Sequence, residues 1–277
     1  MRPTPLVDAH IHLWDLERMH LSWFSPQLGL PSRVTIGDLG LASGARPSAA
    51  VAVQAGDTVN EARWLLDHAA TDGHGLVPAV VLQYEASAGW AGVVQPLLEA
   101  DKGGAPRIAG LRVPTPQGAA DLSDIAGLDL LAERLAATGR VLELLIRPEQ
   151  LTAVGDLASR HPHLTIVVCH LGLGRGEPDG AWRRALESLT AHGSVLAKFS
   201  GVHRPVQDDD ERLRTIAATA FAALGPDRLL FGSDWPMSRR VAPYDEIVAR
   251  TAAALPRLDA EESVAFWAGT ATRAYGV

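Results

Sequence analysis

Polarity along the chain falls into two recurring kinds of segment. Nearly continuous apolar runs of five to seven residues are mostly followed by longer stretches whose apolar positions lie three or four apart. The first kind reads as strands buried on both faces, the second as amphipathic helices laid against them. The apolar runs are Leu6 to Ile11, Ala49 to Gln54, Leu76 to Leu82, Ile108 to Arg112, Val141 to Ile146, Leu164 to His170, Val195 to Ser200 and Arg228 to Asp234. Helical spacing predicts helices over Asp57 to Ala70, Gly89 to Ala100, Leu128 to Ala137, Pro148 to Arg160, Asp210 to Leu224, Tyr244 to Ala253 and Ala260 to Tyr275. Asp57 or Thr58 would cap the first helix, and Glu61 stands where a capping box to Thr58 would put it. Roughly Leu13 to Arg46 is long and irregular, and its Trp14, Trp23 and Phe24 predict an ordered flap.

Eight strands alternating with helices predict an α/β fold, a (β/α)₈ TIM barrel forming a single domain over the whole chain. The 277 residues suit that reading, which needs about 250. An open doubly wound sheet is the alternative. It calls for a glycine-rich phosphate loop after the first strand, where this chain carries His10-Ile11-His12.

Composition narrows the function. Hydrophobic residues make up 47% and charged residues 21%, the balance of a protein with a substantial core. A net charge of −7 argues against nucleic acid or an anionic membrane as partner and leaves a small molecule as the expected one. Cys169 is the only cysteine, so no intrachain disulfide forms and a reducing compartment is expected. With neither a signal pattern nor a membrane-length apolar run in the sequence, the expected location is the cytoplasm. A homo-oligomer is compatible with all of this.

The candidate chemistry lies at the strand exits, which form the catalytic end of such a barrel. These exits carry His10 and His12, Gln54, Gln83, Arg112, Glu143 with Arg147, His170, Lys198 with Ser200, and Asp234. Residues i and i+2 of a strand share a side, so His10 and His12 can present a pair of imidazoles to a divalent metal. His203 and Arg204 follow the seventh strand and can either touch substrate or occupy an exposed loop. His161 and His163 belong to the opposite rim and read as solvated turn residues. Cys169, inside an apolar strand, reads as a core residue turned away from whatever His170 faces.

Four motifs in this order carry a resemblance. Asp8-Ala9-His10-Ile11-His12-Leu13-Trp14-Asp15, Cys169-His170-Leu171-Gly172, Lys198-Phe199-Ser200-Gly201 and Phe231-Gly232-Ser233-Asp234-Trp235-Pro236 resemble the amidohydrolase superfamily. More narrowly they resemble its amidohydrolase-2 type branch of TIM-barrel hydrolases, which includes sugar-acid lactonases and pyrone dicarboxylate hydrolase. The likeness implies a hydrolase opening the ring of a small lactone, with Asp234 as general base and His170 in the catalytic set. It also implies metal ligands among His10, His12, Glu143 and Asp234, and substrate contacts from Gln54, Arg112, Arg147, Lys198 and Ser200. Many relatives carry a metal-bridging lysine on the fourth strand and a histidine on the fifth, where this chain has Arg112 and Glu143. At most one divalent ion, zinc or manganese, is therefore expected, and metal-free working stays open. Lys198 is equally readable as a buried partner of Glu143, and Arg147 as an anchor for its loop. The rival readings are a metal-dependent decarboxylase of the same superfamily and a non-catalytic barrel that binds a small ligand.

Overall fold

The computed structural model describes residues 5–42, 46–71, 75–84, 88–101, 106–174 and 176–277, with the backbone alone for 40–42 and 88–93. The first strand, β1, is Val7–Ile11. The flap that follows contains β2 (Trp14–Asp15) and β3 (Arg33–Val34), paired antiparallel, and leads into helix α1 (Ile36–Ala42). Trp14 is fully buried beneath it and donates Nε1–H to Pro31 O at 2.9 Å, so the stretch is ordered as its aromatic content predicts.

Next come β4 (Ala49–Val53), α2 (Val59–Ala70), β5 (Ala79–Gln83), α3 (Ala88–Ala100), β6 (Arg107–Pro114), α4 (Leu128–Ala137), β7 (Val141–Leu145) and α5 (Leu151–Arg160). After β8 (Ile166–Val168) stands α6 (Gly180–Ser188), a helix that the apolar pattern did not announce. Its signals are a cap at Asp179 and a narrow buried stripe of Trp182 and Leu186. Then follow β9 (Val195–Phe199), α7 (His203–Val206), α8 (Asp210–Leu224), β10 (Leu229–Phe231), α9 (Tyr244–Ala254), α10 (Ala260–Val264) and α11 (Thr270–Tyr275). The last helical stretch is broken by a π turn over Ala265–Gly269.

The eight long-range strands run parallel in the order β1-β4-β5-β6-β7-β8-β9-β10, which is sequence order without reversal. A doubly wound sheet would reverse direction, so this order excludes it. Closure comes from a parallel bridge between Ile11 and Trp235, with His12 N–H donating to Trp235 O at 2.7 Å. The result is the TIM barrel that the pattern predicts. Small and β-branched side chains fill its interior, among them Val7, Ala9, Val51, Val53, Val81, Val141 and Val167. Ala268, Ala271 and Tyr275 from the C-terminal helices join that interior cluster. A larger apolar cluster lies between strands and helices. Among the described residues, no helix is long and apolar enough to cross a membrane.

The cap of α2 departs from expectation. Thr58 Oγ1 does accept from Glu61 N–H at 3.2 Å. The Glu61 carboxylate, however, does not complete the box. It is buried and accepts from the N–H groups of Ala55 (2.6 Å) and Gly56 (2.9 Å), fixing the turn at the exit of β4.

Candidate active site

His10 and His12, at the exit of β1, share a side by alternation, and a bulge turns that side inward. Val7 and Ala9 face the barrel interior, whereas Ile11 packs outward against the helices. Between Asp8 and Ile11 the register against β4 slips by one residue. Strict alternation from Ala9 would send both histidines outward; the slip turns both inward. Their Nε2 atoms are 3.2 Å apart.

Asp234 meets them across the seam where β10 closes on β1. Its N–H donates to His10 O at 3.0 Å, and Ser233 N–H donates to Asp8 Oδ1 at 2.9 Å. Asp234 itself takes the left-handed conformation, with φ of 57°. The turn is therefore made at Asp234. Gly232 serves close approach instead, because a Cβ there would lie 2.8 Å from His10 Cβ and 3.0 Å from Ser200 Cβ. Asp234 Oδ1 sits 3.8 Å from His10 Nε2 and 3.7 Å from His12 Nε2. On its other side Oδ2 faces Arg204 Nε at 3.2 Å.

His170 arrives by a different route. β8 ends at Val168, and His170 and Leu171 both have positive φ (54° and 55°). That left-handed pair swings the His170 ring over the barrel mouth, 4.8 Å from the His10 ring. Its Nδ1 is 2.8 Å from Ser200 Oγ. Because the strand has ended, alternation no longer separates it from Cys169, whose thiol donates to Glu143 Oε2 at 3.3 Å inside the barrel. Burial pushes that thiol well above its ordinary range, as befits a core residue.

Beneath the histidines lies a buried polar layer. Glu143 Oε1 accepts from Lys198 Nζ at 2.6 Å and from Tyr275 OH at 2.7 Å. Lys198 Nζ also lies 3.3 Å from His10 Nδ1. With Cys169, these side chains are fully buried.

Burial dominates the electrostatics. It pushes the Asp234 carboxyl up to about 6, against the pull of Arg204 and Arg112. Burial, then Arg112, brings His12 down to about 3. His10 and His170 also fall well below the ordinary imidazole range, again chiefly through burial. Neutral imidazoles keep a lone pair for a metal or a proton. The donor set fits one divalent ion, since bonds of about 2.1 Å in a tetrahedral site separate ligands by roughly 3.4 Å, near the spacings found here. His12 is also oriented for it, because its Nδ1 lies 2.8 Å from Val53 O and so carries the proton, leaving the lone pair on Nε2.

Above this group opens a cavity of about 730 Å³, lined by His12, Trp23, Arg112, His170, Arg204 and Asp234 among others. The profile of the amidohydrolase family matches residues 7–277. The chain belongs to the amidohydrolase family. An L-fucono-1,5-lactonase of Burkholderia multivorans is 30% identical to it over 98% of this chain and 96% of the relative. Two crystal structures of an amidohydrolase from Burkholderia multivorans, one with bound HEPES and one with bound zinc, superpose with TM-scores of 0.83 and 0.82 at 28% and 29% identity. Each covers 98% of this chain and 99% of its own. A 2-pyrone-4,6-dicarboxylic acid hydrolase from Pseudomonas putida shares the fold (TM-score 0.73, 21% identity, 98% of this chain and 97% of its own).

Several residues expected to touch substrate in this amidohydrolase are occupied elsewhere. Gln54 is fully buried, accepting from Gln83 N–H (2.9 Å) and donating to Thr58 O (3.0 Å). Arg147 borders the cavity, yet it donates to the carbonyls of Pro116 and Gly118, both at 2.9 Å. It anchors that loop. Lys198 and Ser200 lie below the cavity and hold His10 and His170 rather than facing substrate. Glu143, read as a metal ligand, is turned from Asp234 toward Lys198, Tyr275 and Cys169; with His10 and Cys169 it forms a second, separate cluster of donor atoms. Arg112 does reach the cavity while donating to Gln54 O and, at 3.3 Å, to Gln83 Oε1. Arg204 is the residue that the sequence under-weighted; its neighbour His203 turns into the protein, 3.1 Å from Thr251 Oγ1. Their position just past the Lys198-Phe199-Ser200-Gly201 exit was the only signal for either. His161 is not solvated but paired with Asp129 at 2.7 Å.

Proposed function

We propose that this amidohydrolase opens the ring of a sugar-acid lactone by attack of water, with Asp234 as general base. One observation carries the reading. The Asp234 carboxylate is buried at the cavity floor, and its Oδ2 has no hydrogen-bond partner among the described residues, only the ion contact with Arg204. A buried carboxylate left without a hydrogen bond at one oxygen, beside neutral imidazoles and two guanidinium groups, is placed to accept a proton.

Asp234 takes the proton of the attacking water and passes it to the departing ring oxygen, so the product is an open-chain hydroxy acid. With Ser200 Oγ, 2.8 Å away, as donor to His170 Nδ1, the imidazole proton stands on Nε2 and can be given to the substrate carbonyl. Arg112 and Arg204 stabilise the negative charge that develops on that oxygen. His10, His12 and Asp234 would hold the divalent ion, with zinc, as in the relative's crystal, preferred over manganese. When bound, such an ion acts as a Lewis acid on the carbonyl or lowers the pKa of the water.

Sugar lactones are favoured over dicarboxylate lactones for two reasons. The relatives at 30% identity are named for L-fucono-1,5-lactone, and Arg147 is committed to its loop, leaving Arg112 and Arg204 as cavity cations. We assign the protein to the cytoplasm and to carbohydrate metabolism, in keeping with its single buried cysteine. The test is a panel of aldonolactones, including L-fucono-1,5-lactone, beside 2-pyrone-4,6-dicarboxylate and aromatic carboxylates, followed by acid release and by carbon dioxide release. Hydrolysis of aldonolactones is the expected outcome. Faster turnover of the dicarboxylate lactone, or carbon dioxide as product, would overturn it.

A further inference from the structure

The hydrogen bonds beneath the candidate metal site have a direction. Lys198 Nζ lies 2.6 Å from Glu143 Oε1, a buried ion pair, and 3.3 Å from His10 Nδ1. An ammonium has three donors and no lone pair, so His10 Nδ1 must be the acceptor. Val53 O can only accept, so His12 Nδ1, 2.8 Å away, is the donor there and His12 Nε2 carries a lone pair. Between the rings, Nε2 to Nε2 at 3.2 Å, the one arrangement consistent with both ends has His10 donating to His12. The chain of donors runs Lys198 to His10 to His12 to Val53.

We propose that Lys198 holds His10 in its Nε2–H tautomer and thereby withholds one of the three donor atoms of the site from a metal ion. A metal-binding histidine ordinarily turns its other nitrogen, as N–H, toward a carboxylate or carbonyl. Here that nitrogen meets an ammonium. To bind an ion, His10 must move its proton to Nδ1, where it confronts the Lys198 N–H groups, donor against donor. Glu143 and Tyr275 keep the lysine in place, with Tyr275 OH donating to the same Glu143 oxygen at 2.7 Å. His12 and Asp234 meet no such conflict. Lys198 is thus a positioning residue that sets how tightly this amidohydrolase holds its ion. The proposal is independent of which lactone it opens.

Two measurements test it, neither reading activity. In chelator-stripped, ¹⁵N-labelled wild-type protein, long-range ¹H–¹⁵N correlation reads the imidazole tautomers, and a His10→Asn variant assigns the signal. The expected result is His10 protonated at Nε2. Protonation at Nδ1 would overturn the proposal. Zinc affinity, read by competition with a chromophoric chelator, is the second measurement. The amide of Lys198→Gln can donate to Glu143 while accepting from His10 Nδ1–H, so its zinc affinity should rise on the order of tenfold or more. Lys198→Met removes the ammonium without supplying an acceptor and should gain less. Equal gains in the two variants would assign the effect to charge alone, and no gain in Lys198→Gln would remove it; either result overturns the proposal. Should the variants fail to fold, the wild-type tautomer still decides.

Discussion

Two halves of the barrel rim carry similar numbers of polar side chains and use them differently. On the β4 to β7 side, Gln54 points its donor at a carbonyl of its own loop, and Arg147 and Gln150 point theirs at carbonyls of the loop after β6. On the β8 to β1 side, across the closing seam, His10, His12, His170, Asp234 and Arg204 face mainly one another. The first arrangement consumes hydrogen-bonding capacity to fix chain geometry. The second leaves lone pairs and charge turned toward the cavity, at the cost of burying ionisable groups without full partners. Polarity at a strand end therefore does not distinguish a scaffold from a reaction centre. What the side chain's hydrogen bonds are spent on does.

The sharpest way to break this contrast is Asp234→Asn. Turnover should fall by roughly a hundredfold to ten-thousandfold. The folded state should be no less stable than wild type. Because burial raises this carboxyl to about 6, its ionised form costs stability above that pH, on the order of 3 kcal/mol, and asparagine removes the charge. Turnover per folded molecule beside the melting temperature measures both; near-normal turnover would take the base out of the mechanism. The same group sets the pH profile of the wild type. The reactive form is the carboxylate, so in the metal-free protein kcat/KM should be flat above pH about 6 and fall about tenfold per unit below it, and a bound ion would move that limb to lower pH.

Arg204→Met should come next in size. Loss of the guanidinium beside Asp234 and the substrate oxygen is expected to lower kcat/KM by on the order of tenfold to a hundredfold. Its loss also removes the main pull holding the Asp234 carboxyl down, so the acid limb of the pH profile should move to higher pH.

Arg147→Met tests the other half of the rim and should show the opposite signature. Losing its bonds to Pro116 and Gly118 should destabilise the fold by about 1–3 kcal/mol, with turnover per folded molecule within about threefold of wild type. Denaturant titration with parallel kinetics separates the two. A stable but inactive Arg147→Met would return this arginine to the substrate site.

The smallest effect concerns His203, buried behind the rim with its imidazole lowered to about 4, chiefly by burial. The unfolded chain binds a proton there near pH 6.5 and the folded chain does not until about pH 4, so stability is lost as pH falls through that window. His203→Gln should flatten stability against pH by about one proton, roughly 1.4 kcal/mol per unit, between those limits. An unchanged slope would show that the imidazole protonates without unfolding.

The sequence by itself determined the barrel and the chemical identity of its mouth. Strand and helix periods are local properties, so eight apolar runs and the helical spacing between them were legible without tertiary information. α6 escaped because its buried stripe is only two residues wide. His10, His12, His170 and Asp234 were legible because strands of a barrel deliver their last residues to one end. Only the tertiary structure decided how each side chain is used. His170 depends on two consecutive positive-φ residues, which a run of apolar letters does not announce. That Glu143 Oε1 would be shared by Lys198 and by Tyr275, a residue 132 positions away, was likewise invisible in the sequence. Arg147 looked like a substrate contact until the loop after β6 offered it carbonyls, and Gln54 until Thr58 O and Gln83 N–H took its amide. The physical reason is common to all of these. A buried polar group is defined by the partner that satisfies it, and that partner is supplied by whichever segment folding brings alongside, not by the neighbours in sequence.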